Sequence, residues 1–314
     1  MLIERYPELE MANALNIEKA INKAPHLTEY IFKNKDIVKS TDALLKEAAA
    51  AFEKDKKTTR ENFESLLKKQ QINSEKFIES INHISEVATR ELGEYVHYRQ
   101  QIIEALRKLS EKDEAIEELI HNLFMKKKTE SKEDIFHFST YDSNLWLLDD
   151  KFLSYSYAAS DKRINSVLKQ YGLDKAQKNG DKAPDLAMFY SNKEDEDNLT
   201  CVLVEIKPFG INVDKMFSGL AQVRDYANIF YKNNPKIKAF WVYLITKIDD
   251  DFSGQLKRDG YTPVFSSSEG HKIFVRFFPD EEPPMYVEAI CIDALIQDAD
   301  ARNKTFLDIL KKHE

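Results

Sequence analysis

The sequence predicts an α/β protein: an all-helical N-terminal domain followed by a mixed central sheet flanked by helices. Two observations lead there. No proline occurs between Pro25 and Pro184, and that half has helix-forming composition with no clear strand before about residue 135. Beyond it, short β-branched and aromatic runs alternate with a long helical repeat. The polar stretch 126–134 places the boundary, giving a helical domain over 1–128 and an α/β domain over 129–314.

Taken in order, residues 1–35 suggest short helices broken by Pro7 and Pro25. Thr41-Asp42 starts a capped helix that continues through Ala48–Phe52. A second helical repeat runs from about 58 to 82, with Phe63, Leu66, Leu67, Phe77, Ile78 and Ile81 as buried positions. A third covers about 84–109 and a fourth about 111–126. Their apolar stripes suit a packed bundle or a subunit contact, because no heptad is sustained. Lys126-Lys127-Lys128 reads either as a phosphate contact or as a solvated helix end. Residues 144–157 read as two apolar strands joined by a tight Asp149-Asp150 turn.

Two further strands are expected over 185–190 and 201–207, with the polar connector 191–198 as a hairpin loop. A helix follows over about 213–231, then a strand over 237–246. Asp249–Asp251 and Ser266–Gly270 read as loops on either side of a short edge strand at 261–265. Strands at 272–278 and 285–290 and a final helix over about 291–312 complete the domain.

Composition narrows the function. A net charge of −8 argues against a broad non-specific nucleic-acid binder, whose footprint is basic, but permits a local basic groove. The two cysteines, Cys201 and Cys291, form no disulfide framework, so a reducing, cytoplasmic setting is expected. No apolar run reaches membrane-spanning length. The seven histidines show no zinc spacing, and the eight glycines form no phosphate-cradling loop.

The chemistry gathers on Pro184-Asp185, on Cys201-Val202-Leu203-Val204-Glu205-Ile206-Lys207, and on Gln222 and Tyr226. Strand side chains alternate, so Glu205 and Lys207 share a face. If the two strands pair, Asp185 and Glu205 converge. Two carboxylates, a backbone carbonyl and water make a hard-oxygen site for Mg2+ or Mn2+. The short acidic-x-Lys pattern also occurs at Asp55-Lys56-Lys57 and Glu130-Ser131-Lys132, both in polar contexts read as solvated surface. Only the copy at 205–207 lies on a strand, with Pro-Asp upstream and a helix after it. The bland alternative is a structural Glu–Lys pair.

This set resembles the PD-(D/E)xK nuclease superfamily. The resemblance implies a restriction-endonuclease-like core in which Asp185, Glu205 and the Ile206 carbonyl hold the metal. It further implies that Lys207 positions water, and that Gln222 and Tyr226 support the site, as in exonuclease-like branches. Gln222 and Tyr226 are equally compatible with a packed Tyr and a Gln satisfying the backbone. Such nucleases often take another acidic ligand from a helix before the first core strand. Glu91 and Glu94 are the candidates, with Glu94 preferred because it adjoins Tyr95-Val96, and with an exposed helix carboxylate as the alternative.

A second resemblance spans roughly 85–314. Tyr95-Val96-His97-Tyr98-Arg99, Leu145-Trp146-Leu147, Ser160-Asp161-Lys162 and Ala301-Arg302-Asn303-Lys304-Thr305-Phe306 are similar to the C-terminal nuclease region of bacterial GHKL ATPase–nuclease defence proteins. The chain departs from them in carrying no ATPase domain. The resemblance implies a DNA nuclease in anti-phage or foreign-DNA defence, with a separate GHKL-type ATPase subunit as a possible partner and oligomerisation through the helical domain. A non-catalytic interaction subunit and a ribonuclease are the alternatives.

Overall fold

The computed structural model of the chain describes residues 41–69, 75–112, 117–131, 143–170, 180–192, 195–270 and 272–312. The short helices expected over residues 1–35 lie outside them. The fold is α/β with a seven-stranded mixed sheet. It divides into two compact units, residues 1–100 with 303–314, and residues 101–302. The polar segment expected to mark a boundary begins inside the second unit, where Met125 bridges to Ser143 and Glu130 to Ala159.

The first unit contains α1 (Thr41–Lys68) and most of α2 (Glu75–Ser110). The break expected near residue 83 is absent, because α2 has no glycine or proline before Gly93 to interrupt its repeat. Phe77 is buried and stacks on Phe63 with ring centroids 5.5 Å apart. Leu67, Ile78 and Ile81, expected inside, are exposed, as is Leu92. Phe77 and Ile78 are adjacent in a helix, so burying one turns the other away.

In the second unit, β1 (Tyr157–Ser160), β2 (Leu186–Asn192) and β3 (Asp195–Ile206) form an antiparallel half-sheet. β4 (Ile237–Thr246) runs parallel to β3, and β7 (Met285–Cys291) parallel to β4. β6 (Ile273–Phe278) and β5 (Thr262–Val264) close the far edge antiparallel. The order is β1-β2-β3-β4-β7-β6-β5. Cys201–Val204 and Val242–Ile245 are buried on both faces, which explains their unbroken apolar character. β2 and β3 pair as far as Asn192 and Asp195, so the hairpin loop is far tighter than the expected 191–198.

α5 (Val213–Asn233) follows β3 after Pro208-Phe209-Gly210 and packs on β3 and β4 through Met216, Leu220, Val223, Ala227 and Phe230. It starts at Asn212, whose side chain accepts from the Lys215 N–H at 3.0 Å. The other helices are α3 (Glu117–Phe124), α4 (Ile164–Lys169), α6 (Asp250–Arg258) and α7 (Ile292–Lys312). Asp249–Asp251, expected as a loop, instead opens α6. Asp249 accepts from the Phe252 N–H at 2.8 Å, and Asp250 and Asp251 occupy the first turn, where the helix dipole favours negative charge.

The block 144–157 is not a strand pair. It forms two short 3-10 turns, Leu145–Leu147 and Asp150–Ser154. Asp149 accepts from the Lys151 N–H at 3.0 Å and caps the second turn instead of bending a hairpin. Trp146 is fully buried, and its indole N–H donates to Asn144 Oδ1 at 3.1 Å. Asn144 Nδ2 in turn donates to the Leu123 carbonyl at 2.7 Å, tying the turn to the end of α3.

Candidate active site

The pairing of β2 with β3 sets Leu186 opposite Val204, so the same register puts Asp185 across from Glu205. Directly opposed residues of an antiparallel pair point to one face. Asp185 accepts the Ile206 backbone N–H on Oδ2 at 2.7 Å, so the first carboxylate is anchored to the strand that carries the second. Its own backbone carbonyl accepts the N–H of Asp161 at 2.9 Å. Asp161 lies in the left-handed region at φ 48°, one that aspartate tolerates better than most residues.

Glu205 is 4 % exposed. Lys207 Nζ donates to its Oε1 at 2.6 Å and to Gln222 Oε1 at 3.2 Å. Gln222 Nε2 donates to the Tyr226 hydroxyl. A continuous chain therefore runs Glu205–Lys207–Gln222–Tyr226 from the end of β3 across α5. Gly219 makes room for it: a Cβ there would lie 3.1 Å from Lys207 Cε and 3.0 Å from Leu244 Cδ1. Glu205 Oε2 is buried and has no hydrogen-bond partner among the described residues.

Two residues that the sequence reading passed over belong to this cluster, both on α3. Glu117 interacts electrostatically with Asp185, Lys207, Lys127 and His121. His121 is fully buried. Its Nδ1 lies 3.4 Å from Asp185 Oδ1, and its Nε2 lies 2.8 Å from Ser160 Oγ. Glu94 is exposed on α2 and belongs to the first unit. Glu91, in the same unit, is ion-paired with Lys56 and Arg60. Within the second unit, Glu117 is a helix carboxylate in electrostatic contact with Asp185 and Glu205. The signal available in sequence was its place on the last α-helix before β1 among the described residues.

The electrostatics follow from burial and crowding. Burial, then the Asp185 charge, push the Glu205 carboxyl up to about 8 against the opposing pull of Lys207. Glu117 is raised by burial and then by Asp185. Burial raises the Tyr226 phenol to about 12, with the Gln222 hydrogen bond opposing, so it stays protonated at neutral pH. Glu117 and Glu205, both raised and both crowded by the Asp185 charge, favour cation uptake. Among the described residues, however, no group of three or more His, Cys, Asp or Glu side chains is already arranged to hold a metal ion. The donor set does suit a hard cation in one respect, the unpartnered, buried Glu205 Oε2.

Segments quoted from the sequence make contacts of their own. Asn303 Nδ2 donates to the Val96 carbonyl at 3.2 Å, and the Arg99 guanidinium lies 5.2 Å from the Phe306 ring centre. Arg302 Nη2 donates to the Trp146 and Leu147 carbonyls at 3.0 and 2.9 Å. Glu130, read as solvated, accepts from Tyr157 and Lys162. A cavity beside Glu288 and Tyr243 includes none of the site residues and, by strand register, opens on the face opposite Glu205. No family model, curated protein or solved structure matches this chain.

Proposed function

We propose that the chain is a divalent-metal-dependent nuclease that hydrolyses phosphodiester bonds in DNA, on a restriction-endonuclease-like core. The observation that carries the reading is Glu205: a buried carboxylate 2.6 Å from the Lys207 ammonium, opposite Asp185 in register, with one oxygen unpartnered. Such a group is costly to bury unless a ligand completes it. Asp185, Glu205 and the Ile206 carbonyl would hold Mg2+ or Mn2+, with Glu117 as the helix carboxylate. When bound, the metal lowers the pKa of water and offsets phosphodiester charge. Lys207, held by Glu205 and Gln222, has a third N–H with which to orient water and meet the charge that develops on phosphate oxygen. The water oxygen bonds to phosphorus and gives up a proton to solvent as the bond to the leaving sugar oxygen breaks, and that oxygen takes up a proton from solvent.

The resemblance stated from the sequence supports a cytoplasmic role in bacterial defence against phage or foreign DNA, with a GHKL-type ATPase as a separate subunit. Exposed Leu67, Ile78, Ile81 and Leu92 support a second copy or a partner on the helical part.

The test uses the full chain with plasmid, linear duplex, single-stranded DNA and RNA, with and without Mg2+ or Mn2+. The expected result is metal-dependent DNA cleavage that falls by roughly 10²- to 10³-fold or more in Asp185→Ala and Lys207→Ala. Cleavage unchanged in either variant removes the site assignment. RNA cleavage alone identifies a ribonuclease, and no cleavage of any substrate supports an interaction subunit.

A further inference from the structure

We infer that His121 is a positioning residue for Asp185, donating an Nδ1–H bond that fixes this carboxylate for a divalent cation. The inference rests on the metal reading of the site. Asp185 is held from one side by the Ile206 N–H on Oδ2, at 2.7 Å. His121 Nδ1 faces the other oxygen at 3.4 Å, just short of a formed hydrogen bond, and is buried with no hydrogen-bond partner among the described residues. The carboxylate fixes where the proton sits. Ser160 Oγ lies 2.8 Å from His121 Nε2 and 3.3 Å from the Met125 carbonyl. The hydroxyl can meet Nε2 as donor or as acceptor, whereas an ionised carboxylate only accepts. Asp185 therefore selects the form with a proton on Nδ1, and Ser160 meets Nε2 in either role. The opposite tautomer would set the buried Nδ1 lone pair against a carboxylate oxygen 3.4 Å away. An imidazolium would also place a proton on Nδ1.

Metal-binding carboxylates are commonly oriented by a second hydrogen-bonding partner, and removing it weakens binding about 10- to 100-fold. Here the partner comes from α3 and is itself set by Ser160 of β1, so the ligand on the β2–β3 pair is aligned by two other elements. The competing role is purely structural: His121 would only tie α3 to β1 through Ser160. The two roles need different ends of the ring. An asparagine amide can reach the Nδ1 position, and a glutamine amide the Nε2 position.

Mn2+ affinity of the full chain is measured by depletion of the free-ion electron paramagnetic resonance signal, without nucleic acid. His121→Asn should bind within about threefold of wild type, and His121→Gln and His121→Ala about tenfold or more weakly. Equal affinity of the Gln and Asn variants, or of Ala and wild type, overturns the inference. Wild-type protein that binds no Mn2+ overturns the metal reading, and this inference with it. Should the variants fail to fold, 15N spectra of the wild-type imidazole with Mg2+ decide. A proton on Nδ1 supports the inference, and a proton on Nε2 alone overturns it.

Discussion

At Glu205, burial and the neighbouring Asp185 charge hold a proton on the carboxylate that Lys207 only partly releases. That has a consequence for the stability of the metal-free protein. The unfolded chain gives up this proton near pH ~4.3, whereas the folded chain keeps it to about 8. Below the lower value both states are protonated. Between the two values the folded state binds the extra proton, so stability falls as pH rises, by on the order of 1 kcal/mol per pH unit from this group. Above the upper value the loss is complete. Glu205→Gln cannot titrate, so denaturant unfolding in chelator should show a flatter stability profile between pH 5 and 8 than wild type. Parallel profiles would mean that the Glu205 proton is not held by the fold.

At the scale of elements, the site depends on how closely α5 approaches β3 and β4. Gly219→Ala brings two opposed effects. Alanine favours a helix by about 1 kcal/mol over glycine, but its methyl would press on Leu244 and on the Lys207 side chain, both within 3.1 Å. The expected outcome is unfolding free energy within about 1 kcal/mol of wild type, with metal-dependent cleavage reduced roughly 10- to 100-fold because the amine is displaced. Steady-state cleavage rates and urea unfolding check the pair. A rate loss tracking a stability loss would point to misfolding instead.

The elements also divide by what could be read before the structure. Residues 185–190, 201–207 and 237–246 were legible as strands, because a buried strand writes its burial into consecutive residues, although β3 ends at Ile206. The approach of Asp185 to Glu205 was legible for a related reason: a period of two and one hairpin bring them together. The 144–157 block was misread because a short apolar run looks alike in a strand and in a buried turn, and what holds it is tertiary. His121 gave no signal, since a single histidine on an amphipathic helix announces neither Asp185 nor Ser160. Glu94 was preferred to Glu91 by nearness to a matched segment, and Glu117 was passed over, because a lone helix carboxylate carries no sign in sequence of the charges it will meet.

At the scale of the whole molecule, a ligand that binds only the folded chain raises its stability. At 100 times its Kd the gain is about 2.7 kcal/mol. For a unit of about 200 residues this corresponds to a Tm increase of roughly 5–10 °C. Mg2+ should therefore raise the Tm of wild-type protein, more at pH 8 than at pH 6, since the ion competes with the Glu205 proton. Glu205→Gln should lose most of the effect. Scanning calorimetry at the two pH values measures it, and an equal rise in both proteins would place the bound ion elsewhere.

The chain has two tryptophans. Trp241 is sandwiched with Tyr286, ring centres 4.2 Å apart, and Tyr286 stacks in turn on Phe277, the outermost ring. Trp146 is sealed in the interior, one hydrogen bond from Asn144 and two from the last turn of α3. The two indoles thus sit in optically different surroundings. Replacing Trp241 with phenylalanine would leave one blue-shifted emitter anchored to the helix that carries Glu117 and His121, a built-in optical probe of whether that helix shifts when the centre is loaded.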